Sequence, residues 1–366
     1  MTEPANPARE TSAAAAPPAV PPVVPDHELI RVIGSGSSGE VWLARNVLGI
    51  HRAVKIVYAR AFEQRRSFER EFDGVLKFEP VSRLHDGLMD ILQVGCNDAA
   101  GYFYYVMELC DDVSTGQVIV PEQYSPRTLA YDYRQRRRLP IGECIRLGAA
   151  IASALGYLHR HGLIHRDVKP SNIIFVNGFP KLADVGLVSE LSEPGSQVGT
   201  EGFIAPEGAG TAQADIYSLG KVLYEISTGK DRNEYPVLPA PLEDNAEGRD
   251  LVHFNKIVLD ACRTDPRRRY KSADEMMTVL LAFQFSHYDP RIENARQRLI
   301  RAISVAGPYI GFGVIVGMLW RLIWLLKHPP LTCRVCVVGR RCRAASAKTH
   351  PPSTCRICLF WTSHCQ

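Results

Sequence analysis

The chain has 366 residues, 46% of them hydrophobic, which is enough for a sizeable core spread over two or three domains. Its net charge of +4 conceals a division: residues 291–366 carry 12 Lys and Arg against one Glu, whereas the residues before them carry 31 against 38 acidic ones. An acidic body gives no reason to expect a nucleic-acid partner, and a basic end suits a membrane or a polyanion. Cysteine usage divides at the same place. Cys96, Cys110, Cys144 and Cys262 are scattered through the body without the spacing of bridges or a metal site, and the other six lie between Cys333 and Cys365. The body therefore reads as a reduced, cytosolic protein.

Residues 1–25 are rich in Pro and Ala, cannot bury a core and read as a disordered, partly extended segment. A basic n-region followed by an apolar run is missing there, so no signal peptide is expected. Leu29–Ile33 reads as a strand and runs into Gly34-Ser35-Gly36-Ser37-Ser38-Gly39-Glu40-Val41, after which Val41–Ala44 continues as a second strand. Glycines at this spacing let backbone amides approach phosphate oxygens. Ala53–Val57 is a further strand with Lys55 in its middle, a residue costly to bury without an anion unless it snorkels from an edge. In Ser67–Asp73, Phe68 and Phe72 mark the inward stripe of a helix, with Glu71 beside that stripe and Glu69 as its rival for a carboxylate facing inward.

Tyr104–Cys110 has the composition of a buried strand ending in polar residues. A long connection, Asp111–Tyr133, follows it, and the run Arg134–Arg138 reads as a solvated helix end, with substrate contact as the alternative. Ile141–His161 carries apolar residues at helical spacing. The stretch His165-Arg166-Asp167-Val168-Lys169-Pro170-Ser171-Asn172 then places a carboxylate, an ammonium and a carboxamide within six residues. Such a set can accept a hydroxyl proton, neutralise a transferring phosphoryl group and hold Mg²⁺. Ile173–Phe175 and Pro180–Ala183 read as a hairpin around Asn177-Gly178 that delivers Asp184-Val185-Gly186.

Taken in this order the motifs resemble those of Hanks-type (eukaryotic-like) protein kinases, over roughly Glu28–Phe285. The resemblance implies an α+β, two-lobed fold: a small β-rich N-terminal lobe and a larger helical C-terminal lobe, in a domain spanning 26–290. It implies ATP and Mg²⁺ (with Mn²⁺ as its alternative) as cofactors, and protein Ser/Thr hydroxyls as acceptors. Ile33–Val41 would cover the nucleotide, Lys55 held by Glu71 would take the α- and β-phosphates, and the backbone around Glu108 and Cys110 would meet adenine, with Met107 as gatekeeper. Asp167 and Lys169 would be catalytic, and Asn172 and Asp184 would hold the metal. Val185 departs from the usual Phe and leaves a smaller apolar wedge. From Asp184 to Ala205-Pro206-Glu207 the chain is similar to an activation loop, with Ser189, Ser192, Ser196 and Thr200 available for phosphate. Asp215 would brace the catalytic loop and Arg269 would pair with Glu207. Lys169 and Thr200 point to Ser/Thr rather than Tyr specificity, and Gly202–Gly208 with Ala214–Glu225 is similar to bacterial members, many of them membrane-anchored. The competing function class is a pseudokinase, a nucleotide-binding scaffold; scaffolds usually lose one of Lys55, Asp167, Asn172 and Asp184, and all four are present.

Beyond a basic segment at 291–301, Ala302–Trp320 is uncharged, and residues 302–326 read as one spanning helix with Arg321 snorkelling to an interface. A single-pass membrane protein with a cytoplasmic kinase domain is the expectation. Arg291, Arg296, Arg298 and Arg301 agree with that orientation, while Lys327, Arg334, Arg340, Arg341 and Arg343 oppose it. Gly307/Gly311 and Gly313/Gly317 have the spacing that brings two helices together, hence a homodimer. In the tail, 327–366, Cys333/Cys336 and Cys355/Cys358 leave a zinc site, disulfides and a disordered end all open.

Overall fold

The computed structural model describes residues 22–184, 189–190, 199–240 and 246–288, the first and last few of α5 and α6 and the pair 189–190 by their backbone alone. The expectations for Val185, Ser192 and Ser196, for the spanning helix and for the cysteine-rich tail lie outside these residues.

Five antiparallel strands form the N-terminal sheet: β1 (His27–Ser35), β2 (Gly39–Asn46), β3 (His51–Tyr58), β4 (Ile91–Asn97) and β5 (Tyr102–Met107), in the order β1-β2-β3-β5-β4. Strand alternation sorts their side chains between two faces. Ala53 and Val57 of β3 join the inner core, while Val54, Ile56 and Tyr58 form an outer cluster with Tyr102 and Tyr104. Lys55, in register with Val41 on one side and Tyr105 on the other, falls on the inner face. Gly39 begins β2 where no side chain fits: a Cβ there would lie 1.9 Å from the carbonyl oxygen of Ile56.

Helix α1 (Arg65–Ser82) lies on the inner face. Phe68 and Phe72, four residues apart, both tilt onto Phe103 of β5, at ring-centroid distances of 5.2 and 5.0 Å. Val75 and Phe78 continue the stripe into full burial. This packing rotates Glu71 inward and leaves Glu69 outside, where it pairs with Arg65 of the same helix.

The C-terminal lobe is helical. Helices α2 (Leu129–Arg136) and α3 (Ile141–Arg160) precede a short strand β6 (Leu163–Ile164), whose backbone pairs with β9 (Ser189–Glu190). Between them, β7 (Ile173–Val176) and β8 (Phe179–Leu182) form a hairpin turning at Asn177 and Gly178, both left-handed as a two-residue turn requires. Helices α4 (Ala212–Thr228), α5 (Ala246–Ala261) and α6 (Ala273–Tyr288) complete the lobe. By length and composition α3 could cross a membrane, but 67% of that stretch is buried, against α4 and α6, so it is the lobe's core helix. The C-terminal half of α2 carries Arg134 and Arg136 exposed to solvent, as a solvated helix end would.

Candidate active site

The loop His165–Asn172 is held from below by Asp215, in the first turn of α4. Its fully buried carboxylate accepts from the amides of His165 and Arg166, each at 2.9 Å, and meets His159 Nε2 at 2.9 Å. These contacts hold Arg166 at φ +70°, a conformation that side chains other than Gly rarely adopt. His165 turns its ring to the carbonyl of Ala183 at 3.0 Å and so ties the loop to the residue before Asp184.

Asp167, Lys169 and Asn172 converge. Asn172 Nδ2 donates to the carbonyl and to Oδ2 of Asp167, both at 2.9 Å. Lys169 Nζ lies 2.7 Å from the same Oδ2 and donates to the hydroxyl of Thr200 at 2.7 Å. That hydroxyl in turn donates to Asp167 Oδ1 at 2.8 Å. A carboxylate whose two oxygens receive a hydroxyl, a carboxamide and an ammonium is fixed in orientation, the geometric requirement for a general base.

A second cluster faces it across the cleft. Lys55 Nζ donates to Asp184 Oδ1 at 2.6 Å and stands 4.0 Å from Glu71 Oε1. Burial works against the Lys55 ammonium, but Asp184, Tyr105 and Glu71 outweigh it and raise the lysine above its ordinary value. The same contact, against the pull of burial, holds Asp184 below its own. Glu71 receives less: burial lifts its carboxyl to about 7, and neither Lys55 at that distance nor the Ser38 hydroxyl at 3.3 Å fully offsets this. Lys55 is thus committed first to Asp184, in a pair that an incoming polyphosphate would have to open.

The glycine-rich turn folds back on itself, with the amide of Gly36 donating to the carbonyl of Gly39 at 2.9 Å. Two features narrow which groups face a nucleotide. The side chain of Glu40 does not face the cleft: strand alternation sends it to the outer face, where it accepts from Trp42 Nε1 and the Tyr58 hydroxyl, both at 3.1 Å. Only its backbone remains for a nucleotide. At the hinge, the amide of Glu108 is taken by the carbonyl of Asp90 at 3.2 Å, and the carbonyl of Cys110 accepts from Tyr124 at 3.1 Å. The groups this leaves for adenine are the carbonyl of Glu108 and the amide of Cys110. Sequence reasoning missed a brace at the same point, where Lys181 of β8 donates to Glu108 Oε1 at 2.5 Å and Glu108 Oε1 accepts from the amide of Asp90 at 2.9 Å. No local pattern links three residues so far apart in the chain.

Asp184 and Asn172 are the oxygen donors available for a divalent ion. Among the described residues no group of three or more His, Cys, Asp or Glu could hold a metal alone. One carboxylate and one carboxamide, with phosphate oxygens completing the shell, suit Mg²⁺ bound with its nucleotide.

A two-lobed fold with this site defines a phosphotransferase class. Residues 27–284 match the protein kinase domain, and the chain belongs to that family. It is 30% identical over 285 residues to the serine/threonine-protein kinase PknB of Mycolicibacterium smegmatis, covering 70% of this chain and 42% of that protein. Over 269 residues it is 28% identical to the DNA damage-responsive serine/threonine-protein kinase RqkA of Deinococcus radiodurans, covering 66% of this chain and 37% of that one. The matched region thus spans about two-fifths of the length of these relatives.

Proposed function

We propose that the chain is a serine/threonine protein kinase that transfers the γ-phosphoryl group of ATP to Ser and Thr hydroxyls of proteins. The observation that carries this reading is the network at Asp167, where a threonine hydroxyl, an ammonium and a carboxamide meet one buried carboxylate. Asp167 orients the acceptor hydroxyl and takes its proton as the oxygen bonds to the γ-phosphorus and the bond to the ADP oxygen breaks. Lys169, in reach of Asp167, neutralises charge on the transferring group. Lys55 exchanges Asp184 for the phosphates, and Glu71 is placed to receive it. Asp184 and Asn172 would hold the divalent ion, which when bound supplies positive charge to the phosphates. The Glu108 carbonyl and Cys110 amide would take adenine beneath Ile33–Val41.

Lys169 and Thr200, whose pairing at Asp167 goes with Ser/Thr specificity in the family, support aliphatic hydroxyls as acceptors. Acid hydrolysis of the labelled products is expected to yield phosphoserine and phosphothreonine. A predominance of phosphotyrosine would overturn the acceptor assignment.

The same reading places the chain at a membrane, single-pass through residues 302–326, with the kinase domain 26–290 on the cytoplasmic side where ATP is found. The uncharged stretch at 302–320 and the basic residues before it support this, and the glycine spacing within it supports a homodimer. The full chain is expected to sediment with membranes and to resist an alkaline wash; its recovery in the wash would count against the anchor.

A further inference from the structure

The segment joining β5 to α2 is longer than a plain connection and is tied at every level. Its own ends are closed by Asp112. One carboxylate oxygen accepts from the amides of Ser114 and Thr115 and from the Thr115 hydroxyl, at 2.8–2.9 Å, and the other accepts from the amide of Ser125 at 2.7 Å. Burial works against this carboxylate, yet the four bonds outweigh it and hold its pKa at about 2. Connections of this length in a compact domain are usually either functional or loose, and this one is not loose.

The segment also touches both lobes. On the C-terminal side, the Asp111 carboxylate accepts from the amides of Asn177 and Gly178 at the β7–β8 turn, at 2.9 and 2.8 Å. On the N-terminal side, Arg31 of β1 reaches across, donating through Nε to the carbonyl of Pro121 at 2.6 Å and through Nη2 to the carbonyl of Tyr124. Between these anchors an apolar seam joins Ile30 and Ile33 of β1, Leu43 of β2, Ile119 and Tyr124 of the segment, and Val176 of β7. The Tyr124 hydroxyl closes on the hinge at the Cys110 carbonyl.

Strand β1 is where this matters. It is the edge of its sheet, paired only with β2, and its end leads directly into the glycine-rich turn. An edge strand supported on one side has freedom to lift away from the lobe below it. We propose that residues 111–128 form a strap that fixes β1, and through it the glycine-rich turn, at the height over the cleft that nucleotide binding requires, with Arg31 as the positioning residue. The inference rests on the nucleotide reading of the cleft given above and adds a support outside the catalytic residues. A planar guanidinium can serve two carbonyls at once, which a lysine ammonium on a flexible stem does less well.

The test uses the full chain, with Mg²⁺-ATP titrated calorimetrically and initial rates measured on a generic basic protein. Arg31→Ala is expected to raise the ATP Kd and KM roughly five- to tenfold, the scale of one or two lost charge-assisted contacts, with kcat within about twofold of wild type. Arg31→Lys is expected to fall between them. Asp112→Ala loosens the strap without touching β1 or the cleft. It is expected to reproduce the rise in KM and to speed amide exchange across both 111–128 and 27–35, and it decides the matter if Arg31→Ala does not fold. Unchanged nucleotide affinity in Asp112→Ala despite faster exchange in 111–128 would overturn the strap's role. A wild-type chain that takes up no nucleotide would overturn the underlying reading instead, so the two failures are separable.

Discussion

Asp167→Ala should lower the rate of phosphoryl transfer by about a thousandfold, within the range general-base catalysis contributes, while ATP affinity stays within about threefold of wild type. The split follows from where Asp167 sits. Its carboxylate meets Lys169 and Thr200 on the acceptor side of the cleft, and Asn172, which in the variant keeps its bond to the Asp167 carbonyl and so its place for the divalent ion. Lys55, Asp184 and the glycine-rich turn make up the nucleotide side and do not depend on it. Single-turnover transfer from labelled ATP, read beside a calorimetric ATP titration, measures both quantities. Wild-type turnover in the variant would mean that the catalytic loop is wrongly assigned. Loss of ATP binding would mean that Asp167 holds the cleft together rather than acting on the hydroxyl.

The largest stability effect is expected at Arg269. Its side chain is fully buried and makes a forked pair with Glu207, Nη1 to Oε1 at 2.6 Å and Nη2 to Oε2 at 2.8 Å. It also donates to the carbonyls of Arg263 at 2.7 Å and Gln213 at 2.9 Å, and lies 4.9 Å over the Tyr217 ring. Arg269→Ala therefore leaves two carbonyls without their donor in the interior, and a partly exposed Glu207 carboxylate without its partner. Leaving a buried acceptor without its donor costs about 1–3 kcal/mol, a large share of the roughly 5–15 kcal/mol that holds a typical domain. Arg269→Lys keeps the charge but not the fork, and should lose less. Urea unfolding of the three proteins gives the values. A loss below about 1 kcal/mol would contradict the account. Because Glu207 closes the segment that carries Thr200, activity should fall with stability.

What was legible in the sequence was local. The positions of Lys55, Asp167, Asn172 and Asp184 follow from short motifs, each sitting on one turn or strand. The choice of Glu71 over Glu69 rests on the Phe68 and Phe72 stripe together with the family's sequence context, and the packing of both rings on Phe103 does turn Glu71 inward and leave Glu69 outside. The outward side chain of Glu40 is legible too, since strand alternation sends it to the same face as Trp42. The strap was not legible. Arg31 binds carbonyl oxygens 90 and 93 residues away, and a carbonyl leaves no mark in a sequence because every residue has one. The Lys181–Glu108–Asp90 brace was hidden for a related reason, since the side chains are charged but their meeting depends on how the β7–β8 hairpin docks at the hinge.

The direct test of the central claim is whether the purified full chain moves phosphate at all. Incubated with Mg²⁺, γ-labelled ATP and a generic basic protein, it should label that protein, and omission of the divalent ion should abolish the signal. A chain that binds ATP in the same preparation but labels neither the added protein nor itself would contradict the enzyme and leave a nucleotide-binding scaffold in its place.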